Sequence, residues 1–487
     1  MALAPKLVLP PDLEELLAGG GFRDPAQARR RLEELFADAA EMLALARVAG
    51  NLREALAAGP DPDAALLHLT RFVDVRGSRL QLYRTFLDHP ALLDRLVHVV
   101  GASRYLADIL VRNPEYLSLL GDASRLSMPK PPERLHEEFQ AAIRVPETEK
   151  EKLAALRRLH RREVLRIGAA DLLGFQDLEP ITRQISELAD AFAEGCLTVV
   201  SGGAKRTGLV VLALGKWGGR ELNYSSDVDV IFLAPWSRDL AKATRMAKEL
   251  IRSLSQSTFE GVVYRVDLRL RPYGTEGSLV LTAASFEEYL REKARPAELQ
   301  AMLKARAAVG EVAAGRRFLR RITPLLLKDA AQARSQVRRL KSRIEAQLHE
   351  RGTAEGHLKL APGGIRDVEF LVQALQLEAG GSDPGMLGGH TLEALGRLEE
   401  SGRVPPEDAA VLREAYVFLR AVEHRMQLME NQQVYRLPRK EDDLRRLARS
   451  SGFRGPDAID RLLDAYDART RRVRAIFDRI LGTGRPA

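Results

Sequence analysis

The sequence predicts a predominantly helical α+β protein in which one small mixed sheet is flanked by helical domains. Leucine-rich runs with helical spacing fill residues 1 to about 130, and the pattern is helical again from residue 284 onward. Between them, residues 207 to about 281 contain apolar runs bounded by glycine and proline, which is typical of strands. At 487 residues the chain is long enough for about three domains. We place a helical domain at 1–145, the sheet with its leading helices at 146–295, and a helical bundle at 296–487.

The individual elements follow from local signals along the chain. Residues 148–174 form a charged helical pattern that ends at a glycine, and a second helix begins near Pro180 and extends to about Val200. The apolar run Leu209–Leu214 predicts a buried strand, and Lys242–Thr258 predicts a helix packed on the sheet. In the last third, glycines between residues 352 and 364 interrupt the helical pattern.

Composition narrows the class of protein. The chain is 45% hydrophobic and 29% charged with a net charge of +8, which is ordinary for a soluble globular protein. No stretch approaches ~18 consecutive apolar residues, and residues 1–14 lack the apolar core of a secretion signal. Cys196 is the only cysteine, which excludes an internal disulfide. We expect a cytoplasmic protein with no membrane partner, and the absence of an RNA-recognition motif, zinc finger or aromatic platform argues against nucleic-acid binding.

A glycine-rich turn followed by two aspartates is the most informative segment. Asp227 and Asp229 flank Val228 at the start of an apolar run, so strand alternation puts both carboxylates on one face and Val228 and Val230 toward the core. Two adjacent carboxylates repel each other unless a cation lies between them, and hard oxygen ligands of this kind suit Mg²⁺ holding a phosphate. Glycines allow backbone N–H groups to approach a phosphate closely.

A third carboxylate is expected on a neighbouring strand. In the segment from Val262 to Pro272, Asp267 alternates with arginines, while Val266 and Leu268 share the opposite face. An exposed strand with alternating surface charges would give the same pattern. Because the segment follows the glycine turn and the Asp-x-Asp pair, we interpret it as part of a metal and phosphate site. Carboxylates on two strands beside a glycine turn are the layout of a nucleotidyltransferase.

Four segments resemble one known family. They are residues 213–232, 263–274, 359–370 and 416–427, and they resemble the glutamine synthetase adenylyltransferase family, also called glutamate–ammonia-ligase adenylyltransferase. The resemblance implies a polymerase-β-like nucleotidyltransferase fold with Mg²⁺ as cofactor. It implies glutamine synthetase as protein substrate, with ATP, ADP or inorganic phosphate as small substrates. It also implies a PII-type signal protein and glutamine as effectors.

The resemblance also bears on the direction of the reaction. Members of the family typically carry two nucleotidyltransferase halves, one attaching AMP from ATP to a tyrosine and the other removing it by phosphorolysis, which releases ADP. This sequence contains the catalytic pattern once. The sequence Gly-Gly-Ile-Arg, which ends at Arg366, resembles the N-terminal half that removes AMP. The half that attaches AMP more often has Thr at the position of Arg366. The resemblance therefore implies removal of AMP, with ATP-dependent attachment as the alternative.

The sequence departs from the family pattern at one place. Where the family usually has Trp-Glu-Arg, this chain has Ala297, Glu298 and Leu299, although Lys304 and Arg306 remain. The loss of the Trp and the Arg leaves a non-catalytic regulatory binding module as an alternative of another class. A nucleotidyltransferase acting on small molecules or RNA would share the metal site, but the long match outside the catalytic segment argues against it.

The candidate site residues are drawn from these motifs. Asp227, Asp229 and Asp267 are the candidate catalytic residues and metal ligands. The candidate nucleotide- and phosphate-binding residues are Gly215, Lys216, Gly218, Gly219, Ser225, Ser226, Arg269, Arg271, Lys304 and Arg306. The second motif, expected to face the catalytic cleft, contributes Gly363, Gly364, Arg366, Asp367 and Glu369. By contrast, Glu423, His424 and Arg425 have a charge order that suits a solvated helix face.

Overall fold

The predominantly helical α+β class is confirmed. The computed structural model describes residues 8–259, 261–353 and 355–482, which form twenty-three α-helices and one five-stranded sheet. In chain order the helices are α1 Pro11–Gly19, α2 Pro25–Glu34, α3 Ala39–Ala58, α4 Pro62–Asp74, α5 Arg79–Asp88, α6 Pro90–Ala102, α7 Arg104–Arg112, α8 Leu117–Gly121, α9 Ala123–Ser127, α10 Pro132–Ala142, α11 Glu149–Leu172, α12 Leu178–Val200, α13 Gly215–Gly218, α14 Leu240–Ser255, α15 Ala283–Glu292, α16 Pro296–Ala301, α17 Val312–Leu326, α18 Ala333–Glu350, α19 Ile365–Gly380, α20 Thr391–Glu400, α21 Pro406–Glu430, α22 Glu441–Ser450 and α23 Ala458–Leu481. Residues 1–7, the first half of the segment judged to lack a secretion signal, lie outside the described residues.

Local sequence signals explain where the leading helices begin and end. Pro62 and Pro90 occupy the first turns of α4 and α6, where the missing N–H has no helical partner to lose. At the start of α11, the Thr148 hydroxyl and the Glu151 carboxylate form a reciprocal capping box. The helix ends before Gly174, whose φ of +70° lies in the left-handed region that favours glycine. The two helices predicted from these signals, α11 and α12, are confirmed.

The sheet is mixed and has the strand order β3-β2-β1-β5, with β4 also paired to β2. Strand β1 (Val210–Ala213) is antiparallel to both β2 (Val228–Ala234) and β5 (Arg306–Gly310). Strands β3 (Val266–Asp267) and β4 (Val280–Thr282) run parallel to β2. The expectation that the chain is helical from residue 284 onward was therefore wrong at β5. This short strand lies beyond the boundary expected at residue 295, and its sequence, Arg-Ala-Ala-Val-Gly, has no strong strand preference of its own.

The strand expected from Val262 to Pro272 is much shorter in the structure. Only Val266 and Asp267 pair with β2, and the chain turns immediately afterwards. The Arg271 N–H bonds to the Leu268 carbonyl, and the Gly274 N–H bonds to the Arg271 carbonyl. The predicted alternation beyond Asp267 was therefore wrong, because consecutive turns replace the strand there.

Both faces of the sheet are buried, and strand alternation divides them. Val228, Val230 and Phe232 belong to a core that includes α12 and α14, as predicted for the first two. Ile231 and Leu233 face the opposite way, into a core with α15 and α17. The first core continues without a break from the N-terminal helices across residue 145 to the sheet. Asp229 shares the face of Ile231 and Leu233, at the end of the strand where that second core stops.

The C-terminal helices form a separate core and fold back onto the rest of the chain. Helices α19 to α23 supply most of this core. The Ser103 hydroxyl, just before α7, bonds to the Leu428 carbonyl of α21. The prediction of a solvated face at Glu423, His424 and Arg425 was wrong, because Glu423 and His424 are 0% exposed. Their charges find partners in other elements, which a helical charge pattern alone does not reveal. No helix in the described ranges is long and apolar enough to cross a membrane.

Close packing at the glycine turn makes a prediction about stability. A Cβ at Gly218 would lie 2.0 Å from the Lys304 carbonyl oxygen and 2.5 Å from that of Ala213. We expect Gly218→Ala to destabilise the protein by about 1–3 kcal/mol through overpacking, measured as a lower midpoint of thermal unfolding. Gly396→Ala in α20, where nothing lies within 4 Å of the added carbon, is the matched control and should be neutral or stabilising. An unchanged midpoint for Gly218→Ala would contradict the packing role.

Candidate active site

The sheet brings the three predicted aspartates together. Asp229 on β2 and Asp267 on β3 are register partners on adjacent parallel strands. Asp227 immediately precedes β2, and all three side chains line one cavity. Side chains of register partners on one sheet face lie close together, so their carboxylates form one local group of negative charge.

The glycine turn after β1 packs directly against the central carboxylate. Gly215 has a φ of +55°, and a Cβ there would lie 2.2 Å from the Asp229 Oδ2 atom. A glycine is therefore required both for the backbone conformation and for this close approach. Burial, followed by the neighbouring Asp267 carboxylate, raises the pKa of Asp229 to about 6. The site thus holds a carboxyl group whose ionised form a bound cation would stabilise.

Arginines neutralise the other two aspartates. The Arg265 guanidinium donates to Asp227 Oδ1 at 2.7 Å, and Arg269 donates to Asp267 from both its backbone N–H, at 2.8 Å, and its side chain. Burial alone would raise the pKa of Asp267, but the hydrogen bonds from Arg269 lower it overall. Within the described part of the chain, no group of three or more His, Cys, Asp or Glu side chains is arranged to hold a metal ion.

The donor set nevertheless fits a hard divalent cation. Three carboxylates line one cavity, and Asp229 has a raised pKa that repulsion from Asp267 and Asp227 helps to produce. Carboxylate oxygens are the ligands that Mg²⁺ prefers. The arginine partners of Asp227 and Asp267 are half or more exposed, so these pairs can separate at little cost.

The cavity has a volume of about 510 Å³ and opens to solvent. Its lining combines the aspartates and several cations with apolar and amide side chains. Its walls come from the sheet, α16, α18, α19 and the segment after α21. The lining residues are Gly215, Lys216, Ser226, Asp227, Asp229, Asp267, Arg269, Leu270, Ala297, Gln300, Ala301, Lys304, Leu340, Lys359, Arg366, Glu369, Phe370, Gln373, Gln433 and Tyr435.

One face of α19 forms the wall that carries the second motif. Arg366, Glu369, Phe370 and Gln373 follow the i, i+3, i+4, i+7 spacing of a single helix face, and all four line the cavity. Burial alone would raise the pKa of Glu369, but Lys304 and Arg366 lower it overall. The side-chain oxygen of Gln373 accepts a 2.6 Å hydrogen bond from the side-chain amide of Gln300 on α16. The second motif therefore faces the cleft through residues on one face of α19.

The other residues of that motif lie elsewhere. Asp367 is 0% exposed and points away from the cavity, where it pairs with Lys341 and accepts the Gly363 N–H at 2.7 Å. Gly363 packs against the Thr470 carbonyl, and Gly364 caps the helix start. These three residues fix the beginning of α19, while Arg366 and Glu369 face the cleft.

Several predicted phosphate-binding residues do not line the cavity. Gly218 and Gly219 pack against the backbone carbonyls of Lys304 and Gly389. The Ser225 hydroxyl donates to the Asn431 side chain at 2.8 Å. The glycine pair therefore permits close packing between segments in this structure, and Ser226 rather than Ser225 reaches the cavity.

Two predicted arginines are likewise committed to structural partners. Arg306 forms a bidentate ion pair with Asp190, at 2.7 and 2.8 Å, and that carboxylate also accepts the Trp217 indole N–H. Arg271 donates to the carbonyls of Thr275 and Gly277, which closes the turn after β3. Neither arginine is among the residues that line the cavity.

A buried ionic network joins this site to α21. The Lys216 ammonium lies 3.0 Å from both carboxylate oxygens of Glu423. The Lys304 ammonium donates to Glu221 at 2.5 Å and to the Thr391 hydroxyl at 3.1 Å. Burial alone would raise the pKa of Glu423, but Lys216 and Arg420 lower it to about 2. Two cavity lysines are thereby held by carboxylates outside the cavity.

The structure adds residues that the sequence prediction missed. Lys359 begins the second motif, and its ammonium lies 4.9 Å from the centre of the Tyr435 ring. Burial, then the nearby Lys216 and Arg366, lowers the pKa of Lys359 to about 7. Gln373 could have been found from the helical spacing that begins at Arg366. Gln433 and Tyr435 carry no local sequence signal, because only the path of the chain after α21 brings them to the site.

Comparison with known proteins gives two family matches and many similar proteins. Residues 93–321 match the family model described as glutamate-ammonia ligase adenylyltransferase, and residues 331–481 match the model described as GlnD PII-uridylyltransferase. Three similar proteins are each named bifunctional glutamine synthetase adenylyltransferase/adenylyl-removing enzyme. That of Streptomyces avermitilis is 38% identical over 90% of this chain and 44% of its own length. That of Streptomyces coelicolor is 37% identical over 94% of this chain and 46% of its own length. That of Hahella chejuensis is 38% identical over 68% of this chain and 36% of its own length.

The mixed sheet, the paired aspartates and these matches define a nucleotidyltransferase, a class of enzyme that in general depends on a metal ion. Residues 93–321 carry a domain of the glutamate–ammonia ligase adenylyltransferase family, and the similarity to the relatives named above extends over most of the chain. It spans less than half the length of the three relatives named above.

The raised pKa of Asp229 predicts how cation binding depends on pH. Only the ionised carboxylate binds a cation, and with a pKa of about 6 this form is lost as the pH falls below 6. Mn²⁺ affinity, measured by calorimetry, should therefore rise between pH 5 and pH 7 and then level off. Asp229→Asn should bind more weakly with a flatter pH profile. A wild-type profile that is flat over this range would contradict the assignment.

Proposed function

We propose that this chain catalyses adenylyl transfer that controls glutamine synthetase, removing AMP from an adenylylated tyrosine by phosphorolysis and releasing ADP. The observation that carries the proposal is the register pairing of Asp229 and Asp267 on adjacent strands, beside Asp227, in the lining of one cavity. The relatives' printed names, which include both adenylyl transfer and adenylyl removal, support glutamine synthetase as the substrate.

Asp227, Asp229 and Asp267 would hold Mg²⁺ in this proposal. Bound there, Mg²⁺ would neutralise phosphoryl oxygens and stabilise charge on the attacking and leaving oxygens. The chain's own contribution is positioning and electrostatics. Arg269, Lys359 and Arg366 line the same cavity and present cationic groups to the non-bridging oxygens of the adenylyl phosphate. Gly215 holds the turn against Asp229 and so fixes that carboxylate.

The proposed reaction is a displacement at the α-phosphorus. An oxygen of inorganic phosphate forms a bond to that phosphorus while the bond to the tyrosyl oxygen breaks. The adenylyl group leaves as part of ADP, and the tyrosyl oxygen departs as a phenolate that takes up the proton given up by hydrogen phosphate. A phenol has an ordinary pKa near ~10, so its anion is an adequate leaving group.

The direction of the reaction rests on Arg366 and Lys359. The family resemblance associates an arginine at the position of Arg366 with the removing half, and in this structure that side chain lines the cavity. Lys359 lies in the same wall, and among the residues that the structure describes no carboxylate is within 4 Å of its ammonium group. A cation that is not already neutralised is suited to holding a free phosphate ion.

ATP-dependent attachment of AMP is the second candidate. The printed names of the relatives include an adenylyltransferase activity, and the same three aspartates would serve a displacement in either direction. We also propose a PII-type signal protein as a regulator, because residues 331–481 match a PII-uridylyltransferase model. Running the assay below with and without such a protein tests this partner.

The deciding experiment follows AMP on glutamine synthetase by intact mass. Purified protein and Mg²⁺ are incubated with adenylylated glutamine synthetase plus phosphate, and separately with the unmodified enzyme plus ATP. We expect phosphate-dependent loss of AMP with release of ADP. Gain of AMP from ATP alone would establish attachment instead. Binding of glutamine synthetase without turnover in either sample would favour a non-catalytic regulatory module.

Replacing one aspartate tests the metal site within this assay. Asp227→Asn removes a negative charge that would help to hold the cation. Because the cation would stabilise the transition state by several kcal/mol, turnover should fall about 100-fold or more. The side chain is partly exposed, so the midpoint of thermal unfolding should change little. Glu249→Gln on α14, outside the cavity, is the control for the same chemical change. Near-normal turnover in Asp227→Asn would refute the assignment of this carboxylate.

The lowered pKa of Lys359 predicts that anion binding weakens at higher pH. Only the protonated ammonium attracts an anion, and with a pKa of about 7 it loses its charge as the pH rises through 7. Sulfate, whose charge is constant over this range, is the suitable probe. Its affinity should fall between pH 6 and pH 8.5 in the wild type and stay level in Lys359→Arg, because a guanidinium remains charged. Identical pH profiles for the two proteins would exclude Lys359 as the anion ligand.

A further inference from the structure

A second cavity of about 300 Å³ adjoins the one that holds the aspartates. Its walls come from the C-terminal part of α18, the loop from His357 to Leu360, and the segment around Tyr435. Lys359, Arg366 and Tyr435 line both cavities. These three side chains therefore form the partition between them, and a ligand long enough to cross it could occupy both.

The chemistry of the second cavity differs from that of the first. Ile344, Leu348 and Leu360 give it an apolar floor. The Tyr435 ring stacks on His357, with the ring centres 5.9 Å apart and the planes inclined by 5°. None of the lining residues that the structure describes is a carboxylate. Such a pocket suits a flat, apolar group that carries a negative charge on one side.

The negative charge would lie at the partition. The Lys359 ammonium is 4.9 Å from the centre of the Tyr435 ring, and the Arg366 guanidinium is 5.0 Å from that of Phe370. The Leu358 N–H donates to the Tyr435 carbonyl at 2.8 Å, which fixes the backbone beneath the aromatic ring. Lys359 and Arg366 therefore lie between the apolar second cavity and the first cavity, which the aspartates line.

We propose that the second cavity binds the aromatic ring of the substrate tyrosine while the adenylyl group occupies the first. The phosphodiester would then cross the partition beside Lys359 and Arg366. This inference rests on the proposed function and names its substrate class as an aryl ester of AMP. The buried amides of Gln300 and Gln373 line only the first cavity, so the hydrogen-bonding base belongs there and the apolar ring in the second.

The assignment has a consequence for the leaving group. When the bond to phosphorus breaks, negative charge develops on the phenolic oxygen at the partition. Lys359 and Arg366 lie at the partition, and Arg351 lines the second cavity, whose described lining contains no carboxylate. Arg366 also pairs with Glu369 of the first cavity at 3.5 Å, so Lys359 is the partition cation without a carboxylate partner among the described residues. Cations placed where charge develops stabilise the transition state more than the ground state.

Two esters of AMP that differ in the group esterified to the phosphate test the proposal. Adenylyl-N-acetyltyrosine amide and AMP methyl ester both carry one phosphodiester charge and no charge on the esterified group, and calorimetry with Mg²⁺ but no phosphate measures binding without turnover. We expect the wild type to bind the tyrosine ester at least about tenfold more tightly, which corresponds to burial of an aromatic ring. ADP, which needs only the first cavity, measures the integrity of the nucleotide site.

Two variants localise the preference. Leu360→Gln places a polar group in the apolar floor, and Ile344→Trp fills the cavity. Each should reduce the preference for the tyrosine ester to within twofold while leaving ADP affinity within twofold of the wild type. Leu43→Gln, an exposed leucine on α3, is the matched control and should keep the full preference.

The outcomes separate this proposal from the proposed function. Equal binding of the two esters by the wild type, or a preference that survives in both variants, would overturn the aryl site. A preference that depends on Leu360 and Ile344 would support the aryl site even if no phosphorolysis occurs, and the proposed function would then fail alone. Failure of both esters and of ADP to bind would overturn the two together.

Discussion

The buried ionic contact between α21 and the segment after β1 is the interaction on which the cavity depends. Arg420, only 1% exposed, donates to the Glu221 carbonyl and to the Asn223 side chain, and Glu423 on the same helix holds Lys216. Removing one partner of such a group leaves an uncompensated buried charge, which costs about 3–5 kcal/mol. The sheet and the C-terminal helices therefore keep one relative position. The width of the cleft between them follows from that constraint.

The same network determines which cations can respond to a ligand. Lys216 and Lys304 line the cavity, but each ammonium is already held by a buried carboxylate of Glu423 or Glu221. They contribute positive charge to the wall at fixed positions. Lys359 lies over an aromatic ring instead, and burial has lowered its pKa toward neutrality. An anion that enters the cleft therefore gains the most favourable electrostatic interaction at Lys359. The interactions of Lys216 and Lys304, which already have carboxylate partners, change little.

Sequence periodicity predicted what depends on local spacing and missed what depends on distant contacts. The apolar run before Gly215 and the segment that starts with the Asp-x-Asp pair predicted β1 and β2. The prediction that Val228 and Val230 face the core was confirmed. Strand β5 was missed because its small residues acquire strand geometry only by pairing with β1. Glu423 was placed on the surface because helix spacing shows charges but not their partners. Of the site residues, the aspartates converge as expected on one cavity, whereas Tyr435 reaches it through chain topology alone.

The departure from the family pattern before Lys304 changes the shape of the cavity and leaves its charges intact. Ala297 lines the cavity, so a small side chain there leaves open the volume that a tryptophan would fill. Leu299 is 3% exposed in the core with α15 and α17, where a charged side chain would need a buried partner. An apolar residue is therefore the better fit in this structure. The loss of the Trp and the Arg alters the part of the cleft wall that α16 forms, whereas the aspartates and cations proposed to act in catalysis are all present. The substitutions accordingly argue for altered ligand fit more than for a lost reaction.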